Sequence, residues 1–190
     1  MLAHARRAVE RVVAHAPHAS RDAGPGAGRL AEPAAAFVTL HVGGALRGCI
    51  GTCERRRSLW TLADEMAEAA ATRDPRFSPL TAGDLAALQI EISVLSEPHR
   101  MAAPAEIEIG RHGIEVVSGG AHGLLLPQVA VEHGLSRERF LDETCRKAGL
   151  PRGAWRDPAT EVRLFEAEVF SERPHRPEAR PQGPHPAAET

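Results

Sequence analysis

Leu46-Arg47-Gly48-Cys49-Ile50-Gly51-Thr52 follows Phe37-Val38-Thr39-Leu40 across a Val42-Gly43-Gly44-Ala45 link. Two strand-like runs joined by paired glycines predict a β-hairpin, because glycine alone takes positive φ without steric cost. Alternation then sends Leu46, Gly48, Ile50 and Thr52 to one face and Arg47, Cys49 and Gly51 to the other. Leu46 and Ile50 are expected in the core, which leaves Arg47 and Cys49 sharing the opposite face. Glycines inside a strand weaken it and mark places where something else comes close. Gly48 and Gly51 around Cys49 therefore predict close approach at the sulfur. A thiol beside a guanidinium, with space around it, suits a reactive or ligand-holding thiolate. The competing reading is a free cysteine packed as a small hydrophobe.

Upstream of the hairpin, Ala5, Val9, Val12, Val13 and Ala16 recur at helical spacing and predict an amphipathic helix over 2–16. Residues 17–35 are rich in Ala, Pro and Gly and read as a loop. The Gly24-Pro25-Gly26-Ala27-Gly28 run within it follows no strand and has no lysine, so it reads as a linker and not as a phosphate loop. Downstream, Glu54-Arg55-Arg56-Arg57 reads as a charged turn. Ser58 is placed to cap a helix through Thr72, with Leu59, Leu62, Met66 and Ala70 on its buried stripe. Pro75 and Pro79 interrupt regular structure, and Thr81 precedes a short helix over 82–87. Gln89 to Leu95 alternates as a strand.

Short β pieces are expected around 107–109, 114–117 and 123–126, the last two joined through Ser118-Gly119-Gly120-Ala121. A helix should begin at Pro127 and stop at His133-Gly134. Another should run from the Ser136 cap to Ala148, with Cys145 on its inward stripe. A last strand is expected over 161–170. Residues 171–190 carry five prolines and no aliphatic side chain larger than alanine, so they read as a disordered tail. Hairpin, helices and strands without regular βαβ alternation predict an α+β fold with a mainly antiparallel sheet and flanking helices.

Composition narrows the function classes. The 190-residue chain has a formal net charge of −2, 4% aromatic residues and no tyrosine. Neither a grip on nucleic-acid phosphates nor a base-stacking platform is expected from that. Lys147 is the single lysine, which removes the phosphate-loop lysine and leaves little scope for Schiff-base chemistry. No apolar run approaches the roughly 20 residues that span a bilayer, so no membrane is expected. Arg6, Arg7, Glu10 and Arg11 interrupt the N-terminal segment where a signal peptide would be apolar. Three cysteines, Cys49, Cys53 and Cys145, cannot all pair within one chain, which predicts a reducing, cytoplasmic location.

Cys49 and Cys53 would lie roughly 13 Å apart along an extended strand, too far to share a metal or a disulfide unless the strand breaks after Gly51. Neither a metal nor a cofactor is expected. Gly-x-Ser-x-Gly and His-Glu-x-x-His are both absent from the sequence. What remains is a Cys/His/acid constellation. His112, His122 and His133 each precede or follow a glycine, and His112 and His133 are taken as candidate bases for Cys49. Each could equally be a residue that ends a helix or turn. Asp74 and Arg76 flank Pro75 and read either as a rigid turn closed by its own ion pair or as the rim of a pocket.

The stretch Leu46–Thr52 closely resembles the signature of the AMMECR-domain family. Further matches are Arg73-Asp74-Pro75-Arg76-Phe77 with Pro79-Leu80, and Ile92-Ser93-Val94-Leu95-Ser96. The resemblance continues through Gly123–Ala130, Glu132-His133-Gly134, Cys145–Pro151 and Ala154-Trp155 to Val169-Phe170, covering residues 2–170. It is strongest to the prokaryotic branch named AmmeMemoRadiSam system protein A.

This resemblance implies an α+β fold of two unequal lobes, the smaller inserted or appended around 98–150, with the signature strand lining a cleft between them. It also implies an activity that is not settled, and a three-protein system shared with a Memo-like protein and a radical SAM protein. By the same resemblance Arg47, Gly48, Gly51, Asp74, Arg76 and Gln128 become binding candidates around Cys49. Cys53 stands where the family usually has a bulky apolar residue and reads as incidental.

Two uses of the cleft follow. In the first, a non-catalytic module binds a partner or a small acidic ligand there. In the second, Cys49 is a thiolate nucleophile or group carrier, with Arg47 binding an anion and lowering the thiol pKa. The first is preferred because spacing alone places no general base. A metal-carrying thiol site is a third reading, disfavoured by its incomplete ligand set.

Overall fold

A computed structural model describes residues 1–16 and 24–172 of the chain. Gly43 and Gly44 take φ of 61° and 90°, the pair of positive angles that a two-residue type I′ hairpin turn needs. They join β1 (Pro33–Val42) to β2 (Ala45–Ser58). Two expectations change here. Pro33 to Ala35 are strand and not loop, and the Glu54–Arg57 run is a continuation of β2 and not a turn.

The alternation also shifts once. Leu40 pairs with Gly48 while His41 pairs with Leu46, so Arg47 is an extra residue on β2. A bulge of this kind swaps the faces on its far side. Leu46, expected in the core, is therefore 37% exposed, while Gly48 and Ile50 keep the core face.

Every strand pairing is antiparallel, in the order β2-β1-β3-β7-β5-β6. Here β3 is Leu88–Leu95, β5 is His112–Ser118, β6 is Ala121–Leu125 and β7 is Glu161–Ser171. The short β4 (His99–Arg100) adds to β7 on its other side. The long β7 belongs to both halves of this curled sheet. Its residues Ala167–Ser171 pair with β3, and Glu161–Glu166 pair with β5. The architecture is the α+β arrangement of antiparallel sheet and flanking helices that the pattern predicts.

Helices α1 (Leu2–Val13) and α2 (Leu59–Thr72) cover one face of β1–β3. The Ser58 hydroxyl accepts the Thr61 N–H at 3.3 Å and starts α2 where expected. Arg11 ties the two helices by reaching Asp64 at 2.9 Å and Glu68 at 3.1 Å, and His4 stacks on Trp60 with ring centroids 3.7 Å apart.

A second apolar cluster joins β5 and β7 to α3 (Pro127–Glu132) and α4 (Arg137–Lys147) through Ile114, Leu164, Phe140 and a fully buried Cys145. Ile107 is buried in this cluster but lies in no strand. Pro104 opens a 3₁₀ turn that ends at Glu106, and the β piece expected over 107–109 is not formed. A third cluster, with Phe37, Leu95, Leu124 and Phe165, sits where the two halves of the sheet meet. Among the described residues no helix is long and apolar enough to cross a membrane.

The last strand runs to Ser171, and Glu172 is also part of the fold. Its carboxylate accepts from Arg6 Nε at 2.7 Å and from the Ile90 N–H at 3.0 Å. These contacts overturn a tail beginning at 171; residues 173–190 lie outside the described residues. Removing a carboxylate that holds a guanidinium and a backbone N–H costs about 1–2 kcal/mol when the group is partly exposed. Glu172→Ala should therefore lower the melting temperature by roughly 2–8 °C in calorimetry. An unchanged midpoint would mean that the contact contributes nothing.

Candidate functional site

Among the described residues β2 is the outermost strand of the sheet, with one side lacking a strand partner. Cys49 lies in its middle, opposite Thr39 of β1. Asp74 Oδ2 accepts the Cys49 N–H at 2.8 Å, and Arg76 Nη2 donates to the Cys49 carbonyl at 3.3 Å. The 74–76 loop thus gives the edge the bonds that another strand would make.

Local chemistry makes the loop rigid. Pro75 cannot continue α2, and Asp74 Oδ1 accepts the Arg76 N–H at 3.1 Å, an Asx turn. The Arg76 side chain returns to the same carboxylate, Nε to Oδ1 at 3.0 Å and Nη2 to Oδ2 at 2.7 Å. It also lies 5.2 Å from the centroid of the Phe77 ring. Asp74 is buried. The Arg76 guanidinium, helped by the Cys49 and Arg76 N–H groups, holds its carboxyl well below the ordinary carboxylate range, against the opposing effect of burial. An ionised carboxylate with both oxygens committed is a fastener and not a general base.

The sulfur faces Thr39, whose Oγ1 donates to Sγ at 3.4 Å. Both glycines are spaces that the chain itself fills. A Cβ on Gly48 would overlap the Ala70 carbonyl of α2, and one on Gly51 would overlap the Ala36 carbonyl and the Phe37 ring. The close approach expected at these positions is therefore made by α2 and Phe37.

Arg47 was expected beside the thiol, yet the bulge sends it elsewhere. Its Nη1 lies 3.5 Å from Asp84 Oδ1, and its Nη2 3.4 Å from the Ser78 carbonyl. Asp84 is the acidic half of a capping box with Thr81, a partner that sequence reading did not single out. The guanidinium that reaches Cys49 is that of Arg76.

The histidines stand apart from Cys49. The row through Cys49 and Thr39 crosses β3 at Glu91 and meets β7 at Ser171. His112 pairs with Glu166, five residues and roughly 16 Å further along that strand. There it is buried, and its Nδ1 accepts the Glu108 N–H at 3.1 Å. His133 is exposed at the end of α3, where its N–H bonds the Val129 carbonyl at 3.1 Å. Among the described residues neither histidine hydrogen-bonds Cys49, so neither is placed as its base. Gln128 is half-buried in the first turn of α3, two residues after Leu126, which packs against the Ala35, Leu95 and Phe165 cluster as Phe37 does.

Cys53 is not incidental in its surroundings. Ala36 pairs with Thr52 and Ala34 with Arg57, so residues 53–56 all face Ala35 alone. This wide irregularity lifts Cys53 out of the ladder toward β5. Burial first, and then the charge of Glu115, pushes its thiol up to about 11.

A class of protein follows from this arrangement: an α+β chain on one curled antiparallel sheet, whose edge strand carries a cysteine fastened by an Asp-Pro-Arg loop. The AMMECR1 family model matches residues 2–170, and the chain belongs to that family. A protein of Methanopyrus kandleri is 45% identical over 165 residues, 82% of this chain and 77% of that protein. One from Nanoarchaeum equitans is 41% identical over 151 residues, covering 76% and 84%. The crystal structure of an uncharacterized protein from Pyrococcus horikoshii superposes with a TM-score of 0.82 at 38% identity, over 90% of this chain and 89% of that one.

Folding lowers the pKa of Asp74, so the unfolded chain binds more protons in acid. The resulting stability is complete above the unfolded value of about 3.9 and is lost as pH falls below it. Asp74→Asn should cost about 2–3 kcal/mol near neutral pH. It should also flatten the loss of stability as the pH falls from about 4 to about 2. Denaturant unfolding of both proteins across that range checks this; parallel curves would remove Asp74 from the account.

Proposed function

We propose that the surface around Cys49 binds a carboxylate, carried by a small acidic ligand or by an acidic segment of a partner, and that the chain is the A component of a system with Memo-like and radical SAM proteins. The observation that carries the reading is two guanidinium groups with donors to spare, Arg76 at the Cys49 carbonyl and Arg47, next but one along β2, turned toward Ser78 and Asp84. Arg47 is held only at 3.4–3.5 Å by Ser78 and Asp84, at the weak limit of hydrogen bonding. Arg76 is exposed, and among the described residues its Nη1 makes no hydrogen bond. Donors fixed in direction but left unfilled suit a carboxylate, which arginine binds bidentately.

Among the described residues the same geometry leaves the thiol without a hydrogen-bonded base. Thr39 is a hydrogen-bond donor to the sulfur, and Asp74 is fully engaged. The second reading, Cys49 as a nucleophile or group carrier, draws its support from the nearness of the Arg76 guanidinium to Cys49.

Titration calorimetry with a series of mono- and dicarboxylates, and with a co-expressed Memo-like protein, tests the proposal. Arg47→Gln should weaken binding about tenfold or more. It should leave the melting temperature near that of the parent, because the Arg47 contacts are long and partly exposed. Cys49→Ser should bind as the parent does. Equal affinity in Arg47→Gln would overturn the carboxylate site. Loss of binding in Cys49→Ser, together with a covalent adduct on that sulfur by mass spectrometry, would establish the nucleophile instead.

A further inference from the structure

Cys53 of β2, Glu115 of β5 and His122 of β6 come from separate parts of the chain, and their ligand atoms all lie within 4.8 Å of one another. His122 Nε2 is 2.8 Å from Glu115 Oε1. Glu115 is 8% exposed, and its Oε2 is buried without a hydrogen bond. Arg163 Nη1 forms a long ion pair with that oxygen at 3.5 Å, while Arg163 Nε and Nη2 bond the two carboxylate oxygens of Glu161 at 2.9 and 3.1 Å. A buried carboxylate oxygen whose ion pair is this long is under-satisfied, and a bound cation would complete it.

From this cluster we infer that Cys53, Glu115 and His122 form a three-ligand site for a zinc-type divalent cation. One sulfur, one imidazole nitrogen and one carboxylate oxygen are the donor types that zinc takes in tetrahedral sites. Thiolate and imidazole together select against magnesium and calcium, which prefer oxygen donors. The spacing needs only a small contraction, and the His122 side chain, 45% exposed, can supply it.

A cavity of about 200 Å³ lies beside the cluster, lined by Cys53, Glu115, Arg55, Arg163, Leu124 and Phe165. Three protein ligands with an open side are the arrangement of zinc sites that keep a fourth position for water or substrate. Arg55 and Arg163 stand in the cavity wall, Arg55 paired with Glu97 at 3.1 Å and Arg163 with Glu161 at 2.9 Å. On binding, the Cys53 thiol gives its proton to the buffer, and the Glu115–His122 hydrogen bond is exchanged for two metal–ligand bonds with the imidazole neutral. No electron changes hands. The site is separate from Cys49 and does not depend on the carboxylate reading.

The test uses the full chain, freed of metal by chelator and then titrated with Co²⁺ as a spectroscopic stand-in for zinc. One equivalent should produce a thiolate-to-cobalt charge-transfer band and the visible bands of a tetrahedral site, both bleached by Zn²⁺. Cys53→Ser should lose the charge-transfer band, and His122→Ala should lose binding. His122 is a surface residue, so that variant should keep the parent far-ultraviolet dichroism. Cys49→Ser should keep the full spectrum. Absence of binding, or a cobalt spectrum unchanged in Cys53→Ser or His122→Ala, would overturn the site.

Discussion

The carboxylate of Asp74 accepts the N–H of Cys49 on one oxygen and the N–H of Arg76 on the other, with the Arg76 guanidinium spanning both. Everything about the site depends on this fastening. An edge strand with free backbone groups invites pairing with foreign strands, and proteins cover or charge such edges to prevent it. Here the cover is a three-residue loop that supplies one acceptor and one donor where a strand would supply a ladder. The short cover leaves the rest of the strand reachable, and it brings an arginine to the cysteine at the same time.

Packing beneath the strand explains why the cover can be so small. Gly48 brings the strand backbone against Ala70 of α2, and the loop that ends α2 emerges directly beside Cys49. A side chain at position 48 would push helix and strand apart, and the Asp74 carboxylate would lose its reach. Phe37 lies across Gly51 on the neighbouring strand, filling the groove that the missing side chain leaves. The two glycines thus set distances between elements, and the chemistry of the sulfur is a by-product of those distances.

Much of this was legible before any coordinates. The Gly-Gly turn, the Ser58 and Ser136 caps and the alternation of residues 89–95 are local signals with local causes, and the elements they mark are present. The nearness of Asp74 and Arg76 to Cys49 was open as one of two readings, because a proline between two charges says rigidity without saying against what. What could not be read was anything set by register. One extra residue at Arg47 moved Leu46 to solvent and turned the neighbouring guanidinium away from the thiol, and a bulge has no signature in apolar periodicity. The irregularity opposite Ala35 did the same for Cys53. Nothing local announces that Glu115 and His122 will come to meet it. Histidines next to glycine were an uneven guide, since His133 ends a helix while His122 stands 2.8 Å from Glu115.

The sharing of β7 between the two halves of the sheet bears on how the molecule is made. Its first six residues complete one half and its last five the other, and it follows every other strand in the chain. During synthesis both halves wait, with open seams, for the same segment to leave the ribosome. Neither can finish early and act as a template for the other. Assembly is therefore a single late closure, and until then the exposed seams of β3 and β5 are the surfaces on which a chaperone would have to act.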